Sequence, residues 1–129
     1  MSNRRRSAWG NSYRTGYLRS PAWFARRDRW FSETRALRIP LLCAACARPA
    51  TPNELELHHL DYRGVIRTER GWLSRERYDD LVALHPLCHD LLHRLIERDR
   101  VLGGMRGRRD ASRIALSRLR QKLTTTGAP

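Results

Sequence analysis

The chain has 129 residues, and its 26 Lys and Arg residues against 13 Asp and Glu residues give a formal net charge of +13. It contains no run of about 18 apolar residues, as a membrane-spanning helix would need, and no apolar segment follows the basic Met1–Gly10, as a secretory signal would need. A chain of this length forms one domain with a modest core, which often depends on a metal or a disulfide for stability. We therefore expect a single domain in the cytoplasm.

The positive charge is concentrated at the two ends of the chain. Met1–Pro40 holds ten Arg and two acidic residues, for a net charge of +8. Arg94–Pro129 holds nine Arg, one Lys and three acidic residues, for a net charge of +7, whereas the central Leu41–His93 has six Arg and eight acidic residues, for a net charge of −2. Two basic segments around a slightly acidic centre favour a nucleic acid as the partner. The alternative is that these segments are only solvated surface.

The first predicted helix follows a basic tail. Residues 1–16 include three consecutive Arg residues, which is typical of a flexible basic tail. Ser20 and Pro21 then provide an N-cap and a first-turn proline. Three aromatic residues recur at helical spacing and are expected to pack on the core: Trp23, Trp30 and Phe31. Four arginines are expected on the exposed side of this helix as phosphate contacts: Arg19, Arg26, Arg27 and Arg29.

The centre of the chain is predicted to form two strands and a helix. Leu55–Leu60 is predicted to be a short strand, on which adjacent side chains point to opposite faces. Asp61–Asp79 connects it to the second strand, and the acidic and aromatic residues of this connection, including Glu76, are interpreted as structural. Pro86–Arg100 is predicted to be helical because Pro86 suits a first turn and leucines recur at helical spacing.

The C-terminal part of the chain is predicted to carry one more helix. Gly103 and Gly104 are expected to end the preceding helix. Asp110 is expected to cap a basic helix that runs through Leu123, and Thr124–Pro129 to be a disordered end.

All eight Cys and His residues of the chain fall between Cys43 and His93. An odd number of cysteines argues against a disulfide framework, and a Cys-x-x-Cys pair among histidines favours a metal site. The repeated two-residue spacing predicts a closed tetrahedral site for structural Zn²⁺, with these ligands: Cys43, Cys46, His85 and Cys88. His89 is an alternative to His85 as the fourth ligand.

The remaining histidines form a second group: His58, His59, His89 and His93. His89 and His93 are four residues apart, so they share one face of a helix. His58 and His59 point to opposite faces of a strand, so one of them can bind a metal while the other acts as a base. This division of roles suits hydrolysis.

The combined pattern resembles the HNH endonucleases, in the zinc-knuckle branch common in bacteria and phages. The resemblance covers roughly Tyr17–His93 and rests on three segments: Cys43-x₂-Cys46, Leu-Glu-Leu-His58-His59-Leu-Asp-Tyr, and Asp80-Leu-Val-Ala-Leu-His85-x₂-Cys88-His89-x₃-His93. It implies an α+β fold in which a small ββα-metal finger, held by a structural zinc, is flanked by basic helices. The implied organisation is a basic tail over residues 1–16, a nuclease domain over 17–102, and a basic helix with a disordered end over 103–129.

The resemblance also implies roles for the second group of histidines. His59 matches the general base that activates water. His58, His89 and His93 match the ligands of one catalytic divalent metal, and imidazole ligation is compatible with Mg²⁺, Mn²⁺, Ni²⁺ or Zn²⁺. Three protein ligands would leave positions open for substrate and water.

Two positions depart from the family's pattern. Asp80 stands where the family has its central Asn, a catalytic-motif residue whose side chain braces a loop, and Asp can accept such hydrogen bonds but cannot donate them at neutral pH. His85 stands at a position usually held by Cys. Just after the paired histidines, Arg63 is a further candidate phosphate contact.

The predicted function is metal-dependent cleavage of DNA, double-stranded for preference, by nicking or by cutting both strands. Two alternatives stay open: a non-catalytic zinc-stabilised DNA-binding module, and an RNA-directed nuclease or toxin. The complete set of histidines favours an enzyme. Because phage members of the family often work near the packaging terminase, a terminase is a candidate protein partner.

Overall fold

The computed structural model describes residues 16–98 and 107–126, with side chains described as far as residue 124. Within these ranges the chain forms a small mixed α+β structure with three α-helices and two small antiparallel sheets. Residues 1–15 of the predicted tail, the Gly103-Gly104 pair and residues 127–129 lie outside the described residues. No helix in the described part is long and apolar enough to cross a bilayer.

The first helix, α1, spans Pro21–Ala36 and begins where the sequence predicts it. The Ser20 hydroxyl accepts a hydrogen bond from the Trp23 backbone N–H at 3.1 Å, so it satisfies one of the free donors of the first turn. Trp23, Trp30 and Phe31 are all buried in the core, as their spacing predicted. The N-cap and the apolar spacing together explain why this segment is helical.

The first sheet contains the paired histidines. Strand β1 spans Glu56–His59 and pairs antiparallel with β4, Leu81–Leu84, which confirms the predicted strand. His58 lies opposite Val82 in the register, and β4 is followed directly by the second helix, α2, over Pro86–Arg98. The two strands and α2 therefore place the predicted metal ligands on neighbouring elements.

The second sheet was not predicted. Strands β2, Val65–Thr68, and β3, Gly71–Ser74, form an antiparallel hairpin within the segment that was expected to be only a connection. Its turn, Glu69-Arg70, lacks the Asn-Gly or Asp-Gly pair that marks two-residue hairpins in sequence. The hairpin packs against α1.

The third helix, α3, spans Arg108–Thr126. It begins two residues before Asp110 and runs three residues beyond Leu123, so the predicted disordered end is helical as far as Thr126. Leu116 and Leu119 are buried where α3 packs against α2. The C-terminal helix is thus part of the core that surrounds the histidines.

Candidate active site and metal centres

Three elements bring the predicted zinc ligands together. Cys43 and Cys46 lie on the loop after α1, His85 follows β4, and Cys88 lies in the first turn of α2. One ligand atom from each residue lies within 4.8 Å of all the others, and Cys46 Sγ is 3.3 Å from His85 Nδ1. Tetrahedral Zn²⁺ would separate a sulfur from a nitrogen ligand by about 3.6 Å. The chain therefore has a Cys₃His cluster that could hold a structural metal such as zinc, with His85, not His89, as the fourth member.

The protonation of the thiols follows from their backbone surroundings. Burial acts to raise the pKa of Cys43, but N–H groups of Cys46, His85 and Ala45 outweigh it and lower this pKa to about 7. Burial and the adjacent Cys43 raise the pKa of Cys88 to about 12. Because a metal binds the thiolate form, a metal ion in this cluster would displace the proton of Cys88.

The structure also brings together the three predicted ligands of the second metal. Ring nitrogens of His58, His89 and His93 lie within 4.8 Å of one another. His89 Nε2 is 3.2 Å from His58 Nδ1 and 3.0 Å from His93 Nε2. Nitrogens bound to one ion at about 2.0–2.1 Å would lie about 3.0–3.4 Å apart, so this three-histidine cluster is a group that could hold a metal ion.

Two further residues contact the far side of these imidazoles. Glu56 Oε1 lies 2.9 Å from His89 Nδ1, and the buried Ser112 hydroxyl lies 3.2 Å from His58 Nε2. Such outer partners fix the orientation and tautomer of metal-binding histidines. Glu56 shares a face of β1 with His58, a signal available in the sequence. Ser112 reaches His58 from α3, and no sequence motif connects them.

His58 is held in the neutral form that binds metals. Burial and the nearby cationic Arg108 lower the pKa of His58 to about 2. At neutral pH one of its two ring nitrogens therefore carries a lone pair. The ring nitrogen that faces His89 is Nδ1.

His59 projects from the other face of β1 into an aromatic environment. It is 2% exposed, and its ring stacks on Tyr62 with centroids 5.0 Å apart and lies 4.8 Å from Trp23. Its Nε2 lies 2.7 Å from Glu76 Oε2. Glu76 was interpreted from the sequence as structural, and it is the charged partner of the predicted base. The opposite directions of His58 and His59 agree with the alternation expected on a strand.

The protonation of this buried pair is set by two opposing effects. Burial lowers the pKa of His59, and it outweighs the hydrogen bond to Glu76 that acts to raise it. For Glu76, burial acts to raise the pKa, but hydrogen bonds from His59 and Tyr17 outweigh it and lower the pKa. The pair is therefore a neutral imidazole beside an ionised carboxylate.

Asp80 makes the hydrogen bonds of a loop brace. Its Oδ2 accepts from the Arg77 backbone N–H at 2.9 Å, and its Oδ1 accepts from Arg109 Nη1 at 2.7 Å. Burial acts to raise the pKa of Asp80, but the N–H of Arg77 and the guanidinium of Arg109 lower it overall. Asp80 thus braces its own loop and connects that loop to α3, and every one of these bonds needs only an acceptor.

Of the arginines predicted to contact phosphate, some donate to backbone carbonyls of the protein and others are exposed. The expectation that Arg26 is exposed is wrong: it is 5% exposed and donates through Nε to the Glu76 carbonyl at 2.9 Å. Arg27 is half-buried and donates to the carbonyls of Pro52 and Leu55. Arg19 and Arg63 are exposed, and the Arg63 guanidinium lies 2.8 Å from Asp61. Arg26 lies three residues after Trp23 and four before Trp30, so helical spacing already placed it on the buried face of α1.

Sequence reasoning missed a cation beside the histidines. Arg108, at the start of α3, donates through Nε to the His59 carbonyl at 3.1 Å, and its guanidinium lies 4.2 Å from the centre of the Tyr62 ring. Its Nη2 is buried and has no hydrogen-bond acceptor among the described residues. Arg108 lies one helical turn before Ser112, so α3 contributes both a cation and a partner of His58 to this region.

The chain matches no family model, no curated protein and no solved structure in the comparisons with known proteins. The features that bear on function are therefore the geometry of the two clusters and of the His59–Glu76 pair.

Proposed function

We propose that the protein is a metal-dependent endonuclease of the HNH type that hydrolyses DNA phosphodiester bonds within a zinc-held ββα-metal finger. The observation that carries this proposal is the arrangement of β1. From one face it supplies His58 to a cluster of three imidazoles, and from the other face it supplies the neutral, carboxylate-paired His59. One proposed metal ligand and a potential base are thus held at adjacent positions of one strand.

The three-histidine cluster is the candidate catalytic metal site. When bound there, a divalent ion would act as a Lewis acid on the phosphate and leave coordination positions for substrate and water. The chain's own contribution is to hold three imidazoles with their lone pairs together, through Glu56 on His89 and Ser112 on His58. The Cys₃His cluster has four protein ligands and so suits a structural ion.

His59 is the candidate general base. A neutral imidazole can take a proton from water near neutral pH, which contributes roughly 10²- to 10⁴-fold to the rate of such reactions. The side chain is nearly fully buried, so this role requires the ring to become accessible to water when DNA binds. The shielded position also keeps the ring's orientation fixed by Trp23 and Tyr62.

The charge of the chain supports a polyanionic substrate. A net charge of +13 attracts the phosphate backbone, and the resulting binding weakens steeply with salt. Among the predicted contacts, Arg19 and Arg63 remain exposed for this purpose. We propose double-stranded DNA as the substrate.

The decisive experiment is cleavage of supercoiled plasmid by the purified protein with Mg²⁺, Mn²⁺, Ni²⁺ or Zn²⁺. We expect nicked or linear products with at least one of these metals, and we expect His59→Ala to lower the rate by about 10²-fold or more. Thr68→Ala, on the exposed hairpin, is the matched control and should cut like the wild type. Absence of cleavage with every metal, or equal cleavage by His59→Ala, contradicts the proposal.

One observation favours a second candidate function. The near-complete burial of His59 is also what a non-catalytic, zinc-stabilised DNA-binding module would show. That function predicts retained binding of duplex DNA with no cleavage in the same assay. A parallel reaction with single-stranded RNA tests the RNA-directed alternative, which predicts faster cleavage of RNA than of plasmid.

A further inference from the structure

We infer that Glu76 is the positioning residue of His59: its carboxylate holds the imidazole in the tautomer that carries the proton on Nε2 and so makes Nδ1 the basic nitrogen. This inference rests on the proposed function and deepens it. It assigns a role in the reaction to a residue that the sequence pattern left as structural.

The geometry of the pair defines the tautomer. Glu76 Oε2 and His59 Nε2 are 2.7 Å apart, and both side chains are almost completely buried. An ionised carboxylate has no proton to donate, so the hydrogen bond requires a proton on Nε2. In a neutral imidazole the lone pair is then on Nδ1.

The carboxylate is held in place from several elements. The Tyr17 hydroxyl donates to the same Oε2 and also lies 2.6 Å from the Ser74 hydroxyl. The Glu76 carbonyl accepts from Arg26 at 2.9 Å. Gly64 packs directly against the Glu76 backbone, so a Cβ added to Gly64 would lie 2.3 Å from the Glu76 backbone nitrogen. Neither the backbone nor the carboxylate of Glu76 can therefore shift without disturbing its neighbours.

The carboxylate of Glu76 is buried beside few polar groups. Burying an ionised carboxylate is unfavourable unless it is paired and hydrogen-bonded. Among the described residues its Oε2 contacts His59 Nε2 and the Tyr17 hydroxyl, while its Oε1 has no hydrogen-bond partner. A proton on His59 Nε2 gives this buried carboxylate a second donor beside Tyr17, which is a further reason for the tautomer.

In the corresponding reaction step, a water proton passes to His59 Nδ1, while the water oxygen forms a bond to phosphorus. The bond from phosphorus to the 3′ oxygen breaks, and that oxygen leaves with the electron pair and takes a proton from solvent. Glu76 accepts no proton, and its carboxylate stabilises the imidazolium by direct attraction until Nδ1 releases its proton to solvent.

The first test is a direct measurement of the tautomer in the zinc-loaded full chain. Long-range ¹H–¹⁵N correlation spectra distinguish the protonated from the unprotonated ring nitrogen, and His59→Ala identifies the signals. We expect the proton of His59 on Nε2 in the wild type. A proton on Nδ1 overturns the inference. This measurement needs no cleavage activity and no variant of Glu76.

The second test is Glu76→Gln, which keeps the size of the side chain and an acceptor oxygen but removes the charge. We expect the single-turnover rate of plasmid cleavage to fall at least about tenfold, with DNA affinity and zinc content within about twofold of the wild type. Glu69→Gln, on the exposed turn of the hairpin, is the matched control and should leave the rate unchanged. A Glu76→Gln variant that cuts like the wild type overturns the inference.

The two proposals fail in different ways. A wild-type protein that cuts DNA while His59 carries its proton on Nδ1 overturns the role of Glu76 and leaves the nuclease proposal standing. A wild-type protein that cuts no substrate overturns the nuclease proposal and, with it, the catalytic meaning of the pair. If Glu76→Gln does not fold, the tautomer of the wild type decides the inference by itself.

Discussion

Two clusters of side chains that could hold a metal ion both include residues of α2, and they differ in how many side chains complete them. Cys88 and His89 are neighbours on α2, and because successive helical residues point about 100° apart, one serves the Cys₃His cluster and the other the three-histidine cluster. The first cluster has four protein ligands. The second has three, and polar side chains from β1 and α3 support it.

The two clusters differ in the groups that support them. The sulfur of Cys43 accepts from the backbone N–H of His85 at 3.4 Å, so a backbone group 42 residues later in the chain supports a ligand of the Cys₃His cluster. His58 is instead contacted through Nε2 by the Ser112 side chain, 54 residues later on α3. Backbone groups of the ligand-bearing segments thus support the first cluster, whereas a side chain of a separate helix supports the second. Variants of the two clusters should therefore differ in their effects on folding and on metal affinity.

The largest expected effect is loss of the fold on breaking the closed cluster. Structural zinc sites in small domains contribute about 10–16 kcal/mol of apparent binding free energy, so Cys43→Ser should abolish cooperative unfolding and the tightly bound zinc. Far-UV circular dichroism with elemental analysis measures both. His93→Ala is the matched control, and it should keep the fold and the zinc of the Cys₃His cluster. A Cys43→Ser protein with a wild-type melting temperature contradicts this contrast.

An intermediate effect is expected at the three-histidine cluster. Ser112→Ala removes the hydrogen-bonding partner of His58 Nε2 and should weaken divalent-metal binding there by roughly 10- to 100-fold. Calorimetric titration with Mn²⁺, after the Cys₃His cluster is loaded with zinc, measures the affinity. Ser117→Ala, on the exposed face of the same helix, serves as the control. Equal affinity in both variants would mean that α3 packs beside His58 without orienting it.

The smallest expected effect lies outside both clusters. Ser20→Ala removes the side-chain acceptor at the start of α1 and should lower the free energy of unfolding by about 1 kcal/mol. Chemical denaturation measures the change, and Ser32→Ala, at an exposed position inside α1, should be near neutral. Metal content should stay the same in both. A change in metal content would show that α1 is coupled to the clusters.

Local sequence pattern was sufficient to predict the parts of the clusters whose ligands are separated by only a few residues. The Cys-x-x-Cys turn, the His85-x₂-Cys88 spacing and the i, i+4 pair on α2 each place ligands within one turn of backbone. The start of α1 was also predictable, because the N-cap and the first-turn proline act on adjacent backbone groups. The β2–β3 hairpin was missed because its turn, Glu69-Arg70, contains neither Asn nor Gly, and the one signal present is the Gly71 that follows it with a φ of 116°.

The charged residues were the least predictable part of the chain. Helical spacing places Arg26, three residues after Trp23, on the buried face of α1, whereas Arg29 stays exposed. The spacing does not show that the buried guanidinium meets the Glu76 carbonyl, 50 residues later in the chain. The same limit applies to Arg108 and Ser112, whose roles depend on where α3 docks.

The sequence by itself determined the candidate metal ligands, the strand that separates His58 from His59, and the excess of positive charge. These features depend on residue type and on spacings of one to four residues, which the backbone geometry of a helix, strand or turn converts directly into position. Only the tertiary structure decided that His85 completes the Cys₃His cluster, that Ser112 supports His58, and that Glu76 pairs with His59. These pairings depend on how separate elements pack, and the packing is set by the whole core, not by any single segment.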